Sequence, residues 1–268
     1  MANIKNNFVE YNDYLKVIDK IKRKIRSIQN LKKKVLKKDL KASQEDVELI
    51  EKQAMKDETI DFNCNEVKIY CFSNGDKYIG KIENGKLNGM GVYTFFTEDE
   101  KELEYLGEFK DNLKEGIGQF VFENGDMYVG NFKGDLREGI GQIIYANGDE
   151  YIGTFENGKK NGKGIFKWND GCMYYGEYKD NKMEGQGSCY NASNILIYEG
   201  EWKANQIHGE GTYIWNENKK YIGEFRNGKK HGFGKFYLNG ELVYEGTWKF
   251  DKPSIFGRSL EEIFTVRF

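Results

Sequence analysis

Proline is nearly missing from this 268-residue chain, the single one being Pro253. Little therefore interrupts a backbone ladder, and long regular structure is permitted throughout. Histidine is as scarce, with two residues. The four cysteines (Cys64, Cys71, Cys172 and Cys189) stand at unrelated spacings without a Cys-x-x-Cys pair. That pattern argues against zinc and disulfides and predicts reduced structural thiols in a cytoplasmic protein. No apolar run approaches membrane-spanning length. The opening MANIKNNFVEYNDYLK has no hydrophobic stretch and already carries acids, so no signal or transit peptide is expected. Neither sign of charge dominates, with Lys+Arg 41 against Asp+Glu 43 and an isoelectric point near 5.9. Residues 1–66 lack glycine and hold 15 Lys/Arg against 12 Asp/Glu, leaving 26 against 31 for residues 67–268. The acidic majority argues against nucleic acid and suits an anionic bilayer poorly.

What the chain has is a repeat. Tyr-x-Gly-x-aromatic, or a close variant, begins at Tyr78, Tyr105, Tyr128, Tyr151, Tyr174, Tyr198, Tyr221 and Tyr244, at intervals of 27, 23, 23, 23, 24, 23 and 23 residues. In the first seven copies a Gly-x-Gly follows nine residues after the core glycine, from Gly89/Gly91 to Gly232/Gly234. A fixed period of this size marks a repeat architecture. Copy one has Ile82 in the aromatic slot, copy five has Asn191 where an aromatic closes other units, and copy eight lacks the Gly-x-Gly. Phe72-Ser73-Asn74-Gly75 reads as the closing half of a unit whose first half is missing.

Each unit reads as a β-hairpin. In copy four, alternation places Tyr151, Gly153 and Phe155 on one face and Ile152, Thr154 and Glu156 on the other. Asn157-Gly158 and Asp170-Gly171 supply turn chemistry. The expected fold is mainly β, an elongated single-layer antiparallel meander of about eight hairpins. One face is aromatic and glycine-rich, the other mostly polar. The core glycines are expected to seat a ring from the next strand. The extra residues of the two irregular intervals fall in 97–104 and 191–197, where elongated loops are expected.

The repeat resembles the MORN repeat (membrane occupation and recognition nexus), with its Tyr-x-Gly-x-aromatic core and trailing Gly-x-Gly. The resemblance covers roughly residues 67–252. It implies a non-enzymatic scaffold without cofactors, since family members that are enzymes carry a separate, larger catalytic domain. Similarity to radial-spoke-head and other axonemal MORN proteins implies a cytoskeletal destination, such as a ciliary axoneme or the cell cortex. The implied partners are other proteins of a large assembly, including tubulin or axonemal proteins. The alternative is a phosphoinositide-binding adaptor between membrane and cytoskeleton.

Outside the array, residues 1–66 form a helical extension and 253–268 a short C-terminal cap with a capping-box pattern at Ser259–Glu262. Tyr11, Tyr14, Ile18, Ile21, Ile25 and Ile28 make a heptad-like seam, the signature of an amphipathic helix or coiled coil. Residues 16–41 carry twelve Lys/Arg against Asp19 and Asp39, and an acidic helix is expected to follow through Val47, Ile50 and Ala54. Such a basic helix suits an acidic protein surface, a calmodulin-like groove or, weakly, anionic lipid. Partner segments are expected on the aromatic face at Phe109, Phe132, Phe155, Tyr178, Trp202, Phe225 and Trp248. The seam is expected to reach outward to a second protein. His208 and His231 occupy a slot held elsewhere by Asn or Glu and read as loop filling, and the repeated Asn-Gly-Asp reads as a turn.

Overall fold

Among the described residues, nine two-residue turns of one kind decide where the chain reverses. Asn84-Gly85, Asp111-Asn112, Gly134-Asp135, Asn157-Gly158, Asp180-Asn181, Ala204-Asn205, Asn227-Gly228, Asn239-Gly240 and Phe250-Asp251 hold both residues at φ between 49° and 82°. This is the type I′ turn, whose twist matches that of the flanking strands. Most of these positions carry Asn, Asp or Gly because only they adopt the left-handed conformation cheaply.

The computed structural model describes residues 2–39, 67–96 and 102–254. The expected second helix, the C-terminal cap beyond Ser254, Cys64 and most of the first irregular interval lie outside them. The chain divides into two compact units, Met1–Gly158 and Lys159–Phe268. The first contains helix α1 (Ala2–Asp39) and strands β1 (Lys68–Cys71), β2 (Lys77–Glu83), β3 (Lys86–Phe96), β4 (Glu102–Lys110), β5 (Leu113–Val121), β6 (Met127–Lys133), β7 (Leu136–Ile144) and β8 (Glu150–Glu156). The second contains β9 (Lys159–Lys167), β10 (Met173–Lys179), β11 (Lys182–Tyr190), β12 (Leu196–Lys203), β13 (Gln206–Asn216), β14 (Lys219–Arg226), β15 (Lys229–Leu238), β16 (Glu241–Lys249) and β17 (Lys252–Pro253). Within each unit, consecutive strands pair antiparallel, giving the mainly β meander that the repeat implies.

The glycines of the repeat do two different things. Gly118, Gly130, Gly141 and Gly153 pair in succession across β5–β8, so a line of bare backbone crosses the strands. The Tyr128 ring lies on this line, covering Gly130 and Gly141. A Cβ on Gly141 would stand 2.5 Å from Tyr128 Cε2. The ring comes from the same strand, two residues before Gly130, and not from the next strand as expected. It is held there because the Tyr128 hydroxyl donates to the Asn131 carbonyl at 2.8 Å. The same hydroxyl bond recurs in every copy, at Tyr78, Tyr105, Tyr151, Tyr174, Tyr198, Tyr221 and Tyr244. The first glycine of Gly-x-Gly works otherwise. Gly139 sits at φ 62°, just where the β6–β7 register slips between Gly130 and Asn131. That bulge needs a left-handed residue rather than empty space.

The second face is where the structure departs furthest from expectation. It is not mostly polar in the first unit. Ile79, Leu106, Val129 and Ile152, the x of each Tyr-x-Gly, form an apolar bed with Val92, and each is at most 6% exposed. Met90, Ile117 and Ile140, the x of each Gly-x-Gly, flank it. Helix α1 lies on this bed with Ile18, Ile21, Ile25 and Ile28 at 2% exposure or less. From Tyr14 to Ile28 the seam runs about 21 Å, the width of four or five strands. Each buried isoleucine contributes about 2 kcal/mol before ordering costs. The helix thus shares a core with the first unit, and its seam packs on strands and not in a coiled coil. Lys32 adds an ion pair with Glu104 of β4, both groups about a quarter exposed.

The irregular intervals lengthen strands more than loops. Thr94, Phe95 and Phe96 pair with Glu104, Leu103 and Glu102, so the first insertion extends the β3–β4 ladder beyond the usual length. In the second, Leu196 already pairs with Tyr190 and only 191–195 form the turn. Asn191, where other copies have an aromatic, closes that turn by accepting the Ser193 and Ile195 amides on Oδ1, at 3.0 and 2.9 Å.

The ring seats make the fold sensitive to alkali. Burial raises Tyr78, Tyr105, Tyr128, Tyr174, Tyr198 and Tyr221 well above the ordinary tyrosine value of 10.0. A folded-state pKa above the unfolded one contributes stability that is complete below pH 10 and lost as pH rises beyond it. The protein should therefore unfold cooperatively above about pH 10, with tyrosinate absorbance appearing together with the loss of β-sheet circular dichroism. Tyrosinate appearing while the sheet signal stays intact would show that the rings are not sealed.

Candidate interaction surfaces

The seven aromatic residues expected to receive a partner are structural mortar. Phe132 meets Tyr105 and Tyr128 edge-on, at centroid distances of 5.2 and 5.1 Å and interplanar angles of 90° and 87°. Phe109 bridges Tyr78 and Tyr105, and Phe155 bridges Tyr128 and Tyr151. In the second unit Trp202, Phe225 and Trp248 make the same bridges, and Tyr178 packs on Tyr174. Six of the seven are at most 6% exposed and Trp202 is half-buried. Edge-to-face contact satisfies the ring quadrupoles and welds neighbouring copies together within each unit. These rings have little surface left for a partner, which corrects the expectation.

The accessible part of the aromatic face is an outer tier that the repeat motif does not mark. Phe95 and Phe120 lie within 5.9 Å of the Lys114 ammonium. The Arg137 guanidinium covers Phe122 and Phe155 at 5.9 and 5.4 Å. In the second unit Lys230 stands 5.0 Å from Trp215, which is 41% exposed, and 4.8 Å from Trp248. Desolvation lowers the Lys230 pKa and Asp251 opposes that shift.

The slot before each Gly-x-Gly is a tip clamp. Asn88 accepts the Asp111 amide, Glu115 that of Gly134, Glu138 that of Asn157, Glu184 that of Ala204, and His208 Nδ1 that of Asn227. Only a lone pair is required, which is why Asn, Glu and His interchange there. His231 instead packs against Phe250, with ring centroids 5.1 Å apart and the planes tilted by 54°. The opposite ends are tied by the Asn-Gly-Asp turns, where Asp76 Oδ1 accepts the Phe96 amide and Asp126 Oδ1 that of Ala146. The turn reading of that motif holds. Cys71, Cys172 and Cys189 are free thiols, and burial pushes Cys189 up to about 12.

The seam residues proper to α1 are turned inward, so Ile18, Ile21, Ile25 and Ile28 do not face a second protein. Tyr14 packs half-buried against the same core. Tyr11 lies in the helix, with its side chain outside the described ones. What α1 presents to solvent is Lys16, Lys20, Arg23, Arg26 and Lys33, spaced three, four or seven residues apart along one ridge. Asp13, paired with Lys16 at 2.9 Å, and Asp19 are the acids beside them.

The model of the MORN repeat matches residues 78–99, 105–127, 128–150, 151–173, 174–194, 198–219, 221–240 and 244–254. The chain belongs to the MORN-repeat family. All eight Tyr-x-Gly cores begin matched segments, and the half-unit at Tyr244 is included. MORN repeats are generally protein- and membrane-interaction modules, consistent with an adaptor role for this array. Their β-meander is a repeat scaffold, a type not known for enzymatic activity. No significant relative is found among curated proteins. Among solved structures, the crystal structure of BamB from Moraxella catarrhalis is matched over 68% of this chain and 88% of that one, at 6% identity and a TM-score of 0.16. So low a score carries no argument. No described helix is long and apolar enough to cross a membrane.

Proposed function

We propose that this MORN protein is a non-enzymatic scaffold in a cytoskeletal assembly, of the kind found in a ciliary axoneme or the cell cortex. It is held to an acidic protein surface, such as that of tubulin, by the outer ridge of α1. The observation that carries the reading is the division of labour on the helix. Its isoleucines are consumed by its own MORN bed, so Lys16, Lys20, Arg23, Arg26 and Lys33 are presented on a rigid support. A docked helix displays its charges in one fixed register, and complementary charge gives specificity and rapid encounter. An anionic membrane is the less favoured target, because a helix binding one buries its apolar face in lipid and this face is already covered.

Co-sedimentation with assembled microtubules tests the proposal. The intact protein should pellet with them, and Lys20→Glu/Arg23→Glu should weaken binding more than about tenfold by replacing attraction with repulsion. Unchanged binding by the variant, or pelleting only with phosphatidylserine and phosphoinositide vesicles, would overturn it.

A further inference from the structure

In the second unit, the face that corresponds to the bed under α1 lacks a helix among the described residues. Ile222 occupies the slot of Ile79, Leu106, Val129 and Ile152, and Phe233 that of Met90, Ile117 and Ile140. The register pairs Ile222 with Lys235, two residues from Phe233, so the two apolar side chains are diagonal neighbours on one face. Ile222 is 37% exposed and Phe233 is 52% exposed, whereas the four bed residues are buried. Around them the same face carries Glu199 on β12, Glu210 on β13, Glu224 on β14 and Glu245 on β16, against Lys220 and Lys235. The carboxylate of Glu224 also accepts the Phe233 amide at 2.8 Å, which holds the apolar pair beside the acids.

We propose that this face is a docking site for a basic amphipathic helix of another protein. The internal repeat supplies the argument. The same slots on the same face of the first unit, the Tyr-x-Gly x in copies one to four and the Gly-x-Gly x in copies one to three, already hold a helix whose apolar stripe meets them and whose flanks are Lys and Arg. Here two apolar contacts give the stripe its seat, and the excess of glutamate selects basic flanks. An acidic helix or an anionic lipid surface is repelled by the same residues. The site lies on other residues than the α1 ridge, so either assignment can fail without the other.

The probe is a fluorescent peptide of Asn12–Lys33 sequence, a basic amphipathic helix known to suit such a face, titrated onto the full-length protein. One peptide per chain should bind, as read by anisotropy. Phe233→Asp and Ile222→Asp should each weaken binding at least tenfold, as should the charge reversal Glu210→Lys. Both apolar side chains are partly exposed, at 37% and 52%, so the variants should stay folded with a melting temperature close to the parent's, and Glu210→Lys provides a second reading if one does not. Binding that survives all three substitutions would place the peptide elsewhere, including by exchange with α1, and overturn the proposal. No binding by the intact protein would overturn it equally.

Discussion

Gly141→Val should lower the stability of the first unit by about 3 kcal/mol, the upper end of core overpacking. For a unit of this size that corresponds to roughly a 10 °C fall in melting temperature. The cause is local. The Tyr128 ring covers Gly141, and its hydroxyl is tied to the Asn131 carbonyl, so the ring cannot swing aside without breaking that bond. Gly141 also pairs with glycines on both neighbouring strands, leaving no room for the backbone to retreat. Gly139→Asn is the matched control. Gly139 is left-handed and its Cβ direction is nearly open, with Asn131 Nδ2 3.5 Å away. Asparagine tolerates that conformation, so the cost should stay below about 1 kcal/mol. Calorimetry on the two variants separates the roles, and equal losses would show that the two glycines of one motif are interchangeable.

Ile21→Asp/Ile25→Asp should detach α1 while leaving the sheet folded. Both side chains are 2% exposed against the apolar bed, where a carboxylate has no partner and costs several kcal/mol. Freed of its bed, a helix relies on its own propensity, and isolated helices are marginal in water. Hydrogen exchange should then show amide protection in α1 falling on the order of a hundredfold or more, with the hairpins retaining theirs. Helix amides that remain protected in the variant would mean that something other than the bed holds α1.

The repeat, the hairpins and their turns were legible because they are invariants of spacing. Nine residues from core glycine to Gly-x-Gly, and Asn-Gly or its equivalents at each tip, fix the strands without reference to anything distant. The resting place of α1 leaves a fainter signal in the sequence. The x of Tyr-x-Gly is Ile79, Leu106, Val129 and Ile152 in copies one to four, then Tyr175, Glu199, Ile222 and Glu245. One copy taken alone shows an isoleucine among polar neighbours. Only the change between the fourth and fifth copies shows that the apolar stretch ends where a helix bed ends. Alternation puts the bridging aromatics on one face, but spacing cannot tell a ring that waits for a ligand from one clamped between two tyrosines. The tip clamps were hidden for another reason. Their residue type changes from copy to copy while the need for a hydrogen-bond acceptor does not.

Those clamps bear on what happens when such a protein is pulled. Asn112, Asp135 and Gly158 each give a tip amide to the carbonyl of Leu87, Lys114 and Arg137 in the preceding hairpin, while Asn88, Glu115 and Glu138 accept the amide beside it. Every fastening in this series runs between consecutive copies, so tension applied to an end strand loads one hairpin junction at a time. Each release pays out about 23 residues, roughly 80 Å of extended chain. A molecule fastened in this way yields in equal increments and can re-zip from whichever copies remain, which is the behaviour of a mechanical fuse and not of a rigid strut.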